Sequence, residues 1–368
     1  MKILLITDGM DIGGAQTHVA TLARGLKKRK IGVAVLSAGG REAEALRADG
    51  IAQYTVPFFN RSPVEMLRAR HTVRRIAKEG AFDILHAHAR YPAGLLRGCE
   101  RWSGNPACVV TAHAAFSATP LLRALCYWGR HTVAVSEDLR ARLCDRFGVA
   151  AEAITVIPNG IDRTRFYPPK KDDLPPLHRI LFASRLDEDC SLGAELLCDI
   201  APALADKYPD LQITLAGGGT LLPYFFERAA QINRARDTLL VRTVGSISDM
   251  PSLLRQNRVF VGVSRAAMEA AVCGCAVILL GNEGSAGLLT PENTIPALSN
   301  FCCRGAPMPT AHHLFSELDK LFSSESDLRV RALAGRRWIE EAFDAEDTTE
   351  KTVALYQKIL AGKGGTHA

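Results

Sequence analysis

The sequence predicts an α/β protein built from two doubly wound, mostly parallel sheets. Three observations carry that prediction. Strand-length apolar runs alternate with helix-period segments from end to end of the 368 residues. One proline- and charge-rich stretch, Pro168-Pro-Lys-Lys-Asp-Asp-Leu-Pro-Pro176, interrupts the alternation. The alternation then restarts at Ile180-Leu-Phe-Ala183. A chain of this length accommodates two domains of ordinary size. The expected boundaries are 1–168 and 177–345, with a last helix over 346–368 that packs back across the domain boundary. Ligands of such sheets bind outside the carboxyl ends of the strands, which places the expected site in a cleft between the two domains.

In the first half, Ile3–Thr7 reads as a strand. Its apolar run is too short for a signal peptide and meets Asp8 without a small-residue cleavage site. Asp11-Ile-Gly13-Gly14-Ala15 turns into a helix with Val19, Leu22 and Leu26 at helical spacing. Val33–Leu36 and Ala52–Val56 follow as strands. Ser62-Pro63-Val64-Glu65 is a capping box with proline at the first helical position, and announces a basic helix. The runs ending His86-Ala-His88 and Thr111-Ala-His113 are strands that each close on a histidine, and Thr132–Val135 closes on Ser136. Ile154–Ile157 leads into the turn Pro158-Asn159-Gly160-Ile161-Asp162.

In the second half, strands are expected at Ile180–Ala183, Gln212–Leu215, Thr238–Val241, Val259–Val263 and Ala276–Leu280, with a long helix from Leu192 to Tyr208. Ala216-Gly-Gly-Gly219, and less strongly Gly245-Ser-Ile-Ser-Asp249, are places where backbone can approach a ligand closely. A tight turn explains them equally, as it does Gly13-Gly14, which lacks the third glycine and the acid of the dinucleotide fingerprint.

The composition excludes several classes. Hydrophobic residues are 47% and charged residues 23%, ordinary for a soluble globular chain. No apolar run approaches the roughly 20 residues needed to span a bilayer. The ten cysteines are scattered, and neither Cys273-Gly-Cys275 nor Cys302-Cys303 has zinc-site spacing, so reduced thiols in a cytoplasmic protein are expected. The net charge of +6 is uneven: residues 1–175 carry about +10 and the remainder about −4. The excess gathers at Lys27-Lys-Arg-Lys30 and at Arg68, Arg70, Arg74, Arg75 and Lys78. Such a helix is either a solvated face or a dock for anionic lipid or a polyanionic acceptor. Nucleic acid is not expected, because the basic segments lack interleaved aromatics and recognised motifs.

The stretch from Arg258 to Leu280 carries the sharpest chemistry. A strand over Val259–Val263 meets a short helix over Arg265–Val272, with Ser264 suited to the N-cap and Gly274 to the position beyond the helix end. A helix opening at the carboxyl end of a parallel strand offers N–H groups and a positive dipole end to an anion. One turn in stands Glu269, the only carboxylate between Asp249 and Glu283. It either lies on the wet side of the helix or needs a partner, for which a ribose diol is the sharper candidate.

Taken together, these pieces resemble the family 4 glycosyltransferases, nucleotide-sugar enzymes of the two-Rossmann GT-B fold, along nearly the whole chain. The matching segments appear in family order: Gly13–His18, His86–His88, Thr111–His113, Val133–Ser136, Ile157–Asp162, Ser184–Asp187, Leu215–Gly219, Val244-Gly245 and Glu269–Ile278. The resemblance implies a retaining hexosyltransferase without a protein nucleophile, cofactor or metal. The implied donor is a nucleotide-sugar, and the acceptor a glycan or lipid-linked glycan of an envelope or capsule polysaccharide. Gly13 and Gly14 would line the cleft near the donor diphosphate and the acceptor, with Gly217 and Gly245 also on the donor side. His113 would reach the donor sugar, Arg185 would neutralise the leaving diphosphate, and Glu269 would bind the ribose.

Two departures from the family pattern stand out. Val261 occupies the place of the first glutamate of the paired-glutamate motif, and Cys190 or Ser191 that of a lysine after Arg185. Arg265, beside Ser264 at the helix start, is expected to supply the missing cation. Asn282, Glu283 and Gly284, in the Gly281–Gly287 loop, are expected to supply sugar contacts. The departures also admit a non-catalytic subunit that binds a nucleotide or a partner, and the fold admits a nucleotide-sugar epimerase.

Overall fold

The computed structural model describes residues 1–11, 13–56, 62–293 and 295–364. The chain divides into two compact units. The first runs from Met1 to Gly160 and includes the terminal helix Ala345–Gly364; the second is Ile161–Asp344. The crossing falls at Gly160 rather than at the proline-rich stretch. Ile161 and Phe166 are buried in the second core, so the anchor that decides the boundary is apolar and precedes the prolines.

The first unit holds seven strands: β1 (Lys2–Ile6), β2 (Gly32–Ser37), β3 (Ala52–Thr55), β4 (Ile84–Ala87), β5 (Ala107–Ala112), β6 (His131–Ala134) and β7 (Ile154–Val156). Their order is β3-β2-β1-β4-β5-β6-β7, every pairing parallel. Because both faces are covered, β1 is apolar from Ile3 to Ile6, and β4 and β5 are buried along their whole length. Leu4 and Ile6 of β1 join one core cluster while Ile3 and Leu5 join another, as the two-residue side-chain period requires.

The terminal helix closes this unit. Tyr356 is fully buried there, and Glu346 is paired with Lys28 and Arg29, which hold its carboxyl below the usual range. The approach of this helix to Gly14–Lys28 depends on Gly25, where a Cβ would lie 2.5 Å from Thr349 Oγ1. The helix Pro63–Gly80 starts as its capping box predicts, with Ser62 Oγ accepting from the Glu65 amide. Arg70 departs from the basic face. Its guanidinium donates to the Leu95 and Arg97 carbonyls and lies over Trp102, so it ties the helix down.

The second unit holds β8 (Arg179–Ala183), β9 (Gln212–Ala216), β10 (Val241–Gly245), β11 (Val259–Gly262), β12 (Ala276–Gly281) and β13 (Gly284–Leu288), in the order β10-β9-β8-β11-β12-β13. Two strands differ from expectation. β10 begins where the expected strand ends, because Asn233 captures the Leu240 and Val241 amides and holds the preceding residues as a helix exit. β13 is an antiparallel edge strand paired to β12. Gly281–Gly287 is therefore a two-residue hairpin with its return strand rather than a loop. The ten cysteines are free thiols, and burial pushes Cys198 and Cys273 up to about 12.

In each sheet the strand order reverses once, between β1 and β4 in the first and between β8 and β11 in the second. Such switch points open a crevice at the carboxyl ends of the strands.

Candidate functional site

In the second unit the switch point is flanked by two segments that the sequence marks. Arg185 stands two residues beyond the end of β8. Its side chain is 62% exposed, with Nη1 2.6 Å from Asp187 and Nη2 3.0 Å from Asp189. Asp187 also accepts from the Thr220 amide at 2.7 Å and hydroxyl at 2.9 Å; these bonds, with Arg185 beside it, hold its carboxyl below the usual range. The Leu186 amide donates to the Gly218 carbonyl and the Gly217 amide to Gly245, so the loops after β8, β9 and β10 are tied into one rim. The acids that orient Arg185 and the Thr220 bracket escape a reading of the sequence, although Asp187 closes the Ser184–Asp187 segment.

Gly217 is the residue that permits this rim. Its φ is +149°, and a Cβ there would sit 1.7 Å from the Ser184 carbonyl oxygen. Gly217→Ala is expected to destabilise the second unit by about 2–3 kcal/mol, a loss readable in urea unfolding monitored by hydrogen exchange over residues 161–344.

The helix after β11 spans Ser264–Val272. Ser264 is not its N-cap. Val263 takes that position without a side-chain cap bond, and Ser264 sits inside the helix start at φ +60°. Its amide donates to Phe301 and its hydroxyl accepts from Asn300, so the hydroxyl is turned to that loop. Gly274 follows the helix at φ +89°, as expected of its position.

Glu269 is buried rather than on a wet face, and its partner is a neighbour in the chain. Arg265 Nε donates to Glu269 Oε1 at 2.8 Å, with side chains 4% and 10% exposed. Two ions removed from water have paired across one helical turn. The cation expected at the helix start is thus committed at Nε to the acid expected to bind ribose.

The hairpin residues have structural partners. Asn282 Oδ1 accepts from the Leu192 amide and its Nδ2 donates to Glu188, fastening the start of the helix Leu192–Lys207. Glu283 pairs with Arg304, and Gly284 opens β13.

In the first unit the switch point is flanked by Gly13 and Gly14, which start the helix Gly14–Lys28 after β1, and by His88 after β4. His113 stands after β5, half-buried. His88 Nδ1 lies 3.2 Å from His113 Nε2, and His18 on the first helix brings its ring centroid within 4.9 Å of that of His113. His86, inside β4, is engaged at both nitrogens, by Tyr356 Oη at 2.5 Å and Thr111 Oγ1 at 2.7 Å. Burial, with His113 nearby, lowers His86 to about 3, and burial also lowers His88 well below the usual imidazole range. Both rings are neutral near pH 7. His18 and Tyr356 escape assignment from sequence: a histidine on an apolar helix face and a tyrosine in a terminal helix show no spacing that links them to β4 and β5.

Comparison with known proteins accords with this architecture. The family described as Glycosyltransferase Family 4 matches residues 12–165, and Glycosyl transferases group 1 matches residues 178–304. The chain is 26% identical over 324 residues to a component of the human phosphatidylinositol N-acetylglucosaminyltransferase, covering 79% of this chain and 64% of that protein. It is 28% identical over 286 residues to the putative glycosyltransferase EpsF of Bacillus subtilis (strain 168), covering 71% and 72%. In fold it resembles Anabaena Alr3699/HepE, solved in complex with UDP and glucose, with TM-score 0.76, 19% identity and coverage of 97% and 100%. The chain thus spans less than two thirds of the human relative's length.

Proposed function

The chain belongs to the family 4 glycosyltransferases, and from that premise we propose that it transfers a hexose from a nucleotide-sugar to a glycan or lipid-linked acceptor, with retention. The observation that carries this reading is the placement of Arg185 and of the helix bearing Arg265 and Glu269 on either side of the second sheet's switch point. A leaving nucleoside diphosphate gathers negative charge as the C1–O bond breaks, and cations with uncapped helix amides stabilise that charge. In this assignment Arg185 and Arg265 receive the diphosphate, and Glu269, aimed by its bond to Arg265, takes the ribose. Gly217 and Gly245 let the backbone approach the nucleotide, while the hairpin at Asn282, Glu283 and Gly284 borders the sugar.

For the first unit, the family pattern assigns Gly13 and Gly14 to the donor diphosphate and the acceptor, and His113 to the sugar near the reacting carbon. The acceptor oxygen bonds to C1 on the face the diphosphate leaves, and its proton passes to the departing phosphate. No protein nucleophile or metal is called on, so the rate enhancement comes from positioning and charge stabilisation.

Mixing the chain with donor and acceptor tests this directly. Transfer releases nucleoside diphosphate in step with glycosylated acceptor. An epimerised sugar without such coupled release would reassign the chain to isomerisation. A non-catalytic binding role is the second reading, favoured by Val261 at the place of the first glutamate and by the closure of Arg265 on Glu269; it yields neither product.

A membrane-borne acceptor accords with the helix Pro63–Gly80. Among the described residues no helix is long and apolar enough to cross a membrane. This one exposes Val64 and Leu67 alongside Arg68, Arg74, Arg75 and Lys78, a pattern suited to lying on an anionic surface. Sedimentation with phosphatidylglycerol vesicles is expected to carry the protein down, and phosphatidylcholine vesicles to leave it in solution. Arg74→Ala with Arg75→Ala should weaken binding by about 2 kcal/mol at roughly 1 kcal/mol per basic residue.

A further inference from the structure

The imidazoles of His18, His88 and His113 have a property that sugar transfer does not use. They arrive from three separate elements: the face of the first helix, the residue after β4 and the residue after β5. One ring nitrogen of each lies within 4.8 Å of those of the other two. The 3.2 Å between His88 Nδ1 and His113 Nε2 is close to the edge, roughly 3.3 Å, of a tetrahedron with metal–nitrogen bonds of about 2.0–2.1 Å. The rings of His18 and His113 meet edge to face at 66°. His88, 2% exposed, has a buried Nε2 without a hydrogen-bond partner among the described residues. The nitrogen that faces His113 is Nδ1, so a cation bound there leaves the ring proton on Nε2. His86 stands apart from the set, because Tyr356 and Thr111 already use both its nitrogens; its ring, 4.0 Å from that of His88, forms a wall.

We propose that His18, His88 and His113 form a binding site for one first-row transition-metal dication of the zinc class. The donor set decides the class. Three imidazoles without a carboxylate suit Zn(II), Co(II), Ni(II) or Cu(II), whereas Mg(II) and Ca(II) require oxygen ligands. Three protein nitrogens also leave a fourth position for water or a ligand oxygen. The ion is not a participant in transfer. Because the proposed function places His113 beside the donor sugar, an ion held there blocks the reaction, and that consequence alone rests on the glycosyltransferase reading.

The test uses the full chain without a histidine tag, stripped with a chelator and titrated with Zn(II) and separately with Co(II), in the absence of donor. The expected result is one equivalent bound and a visible Co(II) absorption of tetrahedral intensity, with no response to Mg(II). His18→Ala and His113→Ala should each weaken Zn(II) binding by about tenfold or more. His113, at the rim, keeps the test decisive if a buried variant fails to fold. Failure to retain any ion, or binding unchanged in both variants, as from cysteine ligation, would overturn the site. Transfer activity measured with and without Zn(II) separates the two claims: a bound ion without inhibition leaves the site standing and removes His113 from the reaction centre.

Discussion

Glu269→Ala is expected to destabilise the second unit by about 3–5 kcal/mol, the range for breaking a buried ion pair from one side. Arg265 is 3% exposed, so the substitution takes from a buried guanidinium the carboxylate to which its Nε donates. Glu269→Gln keeps an acceptor for Arg265 Nε and is expected to lose less. Arg265→Met combined with Glu269→Leu removes both charges and should recover much of the loss, since apolar replacement of a whole buried pair is often neutral or stabilising. Chemical denaturation of the four proteins, with hydrogen exchange to localise the change to residues 161–344, reads all of this. Equal losses in the single and double variants would show that the pair is not what the helix start depends on. The same energetics dictates how function is tested at this position. A Glu269→Ala protein that fails to bind donor has lost structure as well as the carboxylate proposed for the ribose, so only the glutamine variant speaks to recognition.

Tyr356→Ala is expected to cost the first unit about 3–5 kcal/mol, the range for deleting a large buried ring. Tyr356 is fully buried in the cluster that also holds Ile3, Leu5 and Val19, and its hydroxyl is a partner of His86. Tyr356→Phe separates packing from hydrogen bonding. It leaves the ring in place and the buried His86 Nδ1 unmatched, and should cost about 1–3 kcal/mol. Thermal unfolding of both variants, with the His86 imidazole followed by nuclear magnetic resonance, checks the two parts. A phenylalanine variant as stable as wild type, with an unshifted His86, would show that the hydroxyl contributes nothing.

The fold is legible in the sequence because its signals are physical and repeated. Parallel strands covered on both faces must be apolar throughout, and Ile3–Ile6, Ile180–Ala183 and Ala276–Leu280 are. The details that escape are those fixed by contacts distant in sequence. The boundary at Gly160 is set by Ile161 and Phe166 entering the second core, while the prolines that announce a linker come afterwards. β13 is made of Gly-Ser-Ala-Gly-Leu, which carries none of the β-branched or aromatic residues that mark a strand, and it exists because β12 offers it an edge. At the site, residue types and order are readable but pairings are not. Glu269 stands out as an acid needing a partner, and the i,i+4 spacing to Arg265 is present in the sequence to supply one. The convergence of His18 with His88 and His113 depends on how the first helix docks on the sheet, which no local pattern encodes.

The central claim is that the second unit receives a nucleotide-sugar beside Arg185. A thermal-shift panel of UDP-, GDP-, ADP- and dTDP-linked sugars on wild type and Arg185→Ala tests it most directly. Arg185 is largely exposed, so its removal should leave the fold intact. One nucleotide at about a hundred times its dissociation constant is expected to stabilise wild type by about 2.7 kcal/mol, with the shift lost in the variant. A wild-type chain that no donor stabilises, or a variant that responds as wild type does, would contradict the account.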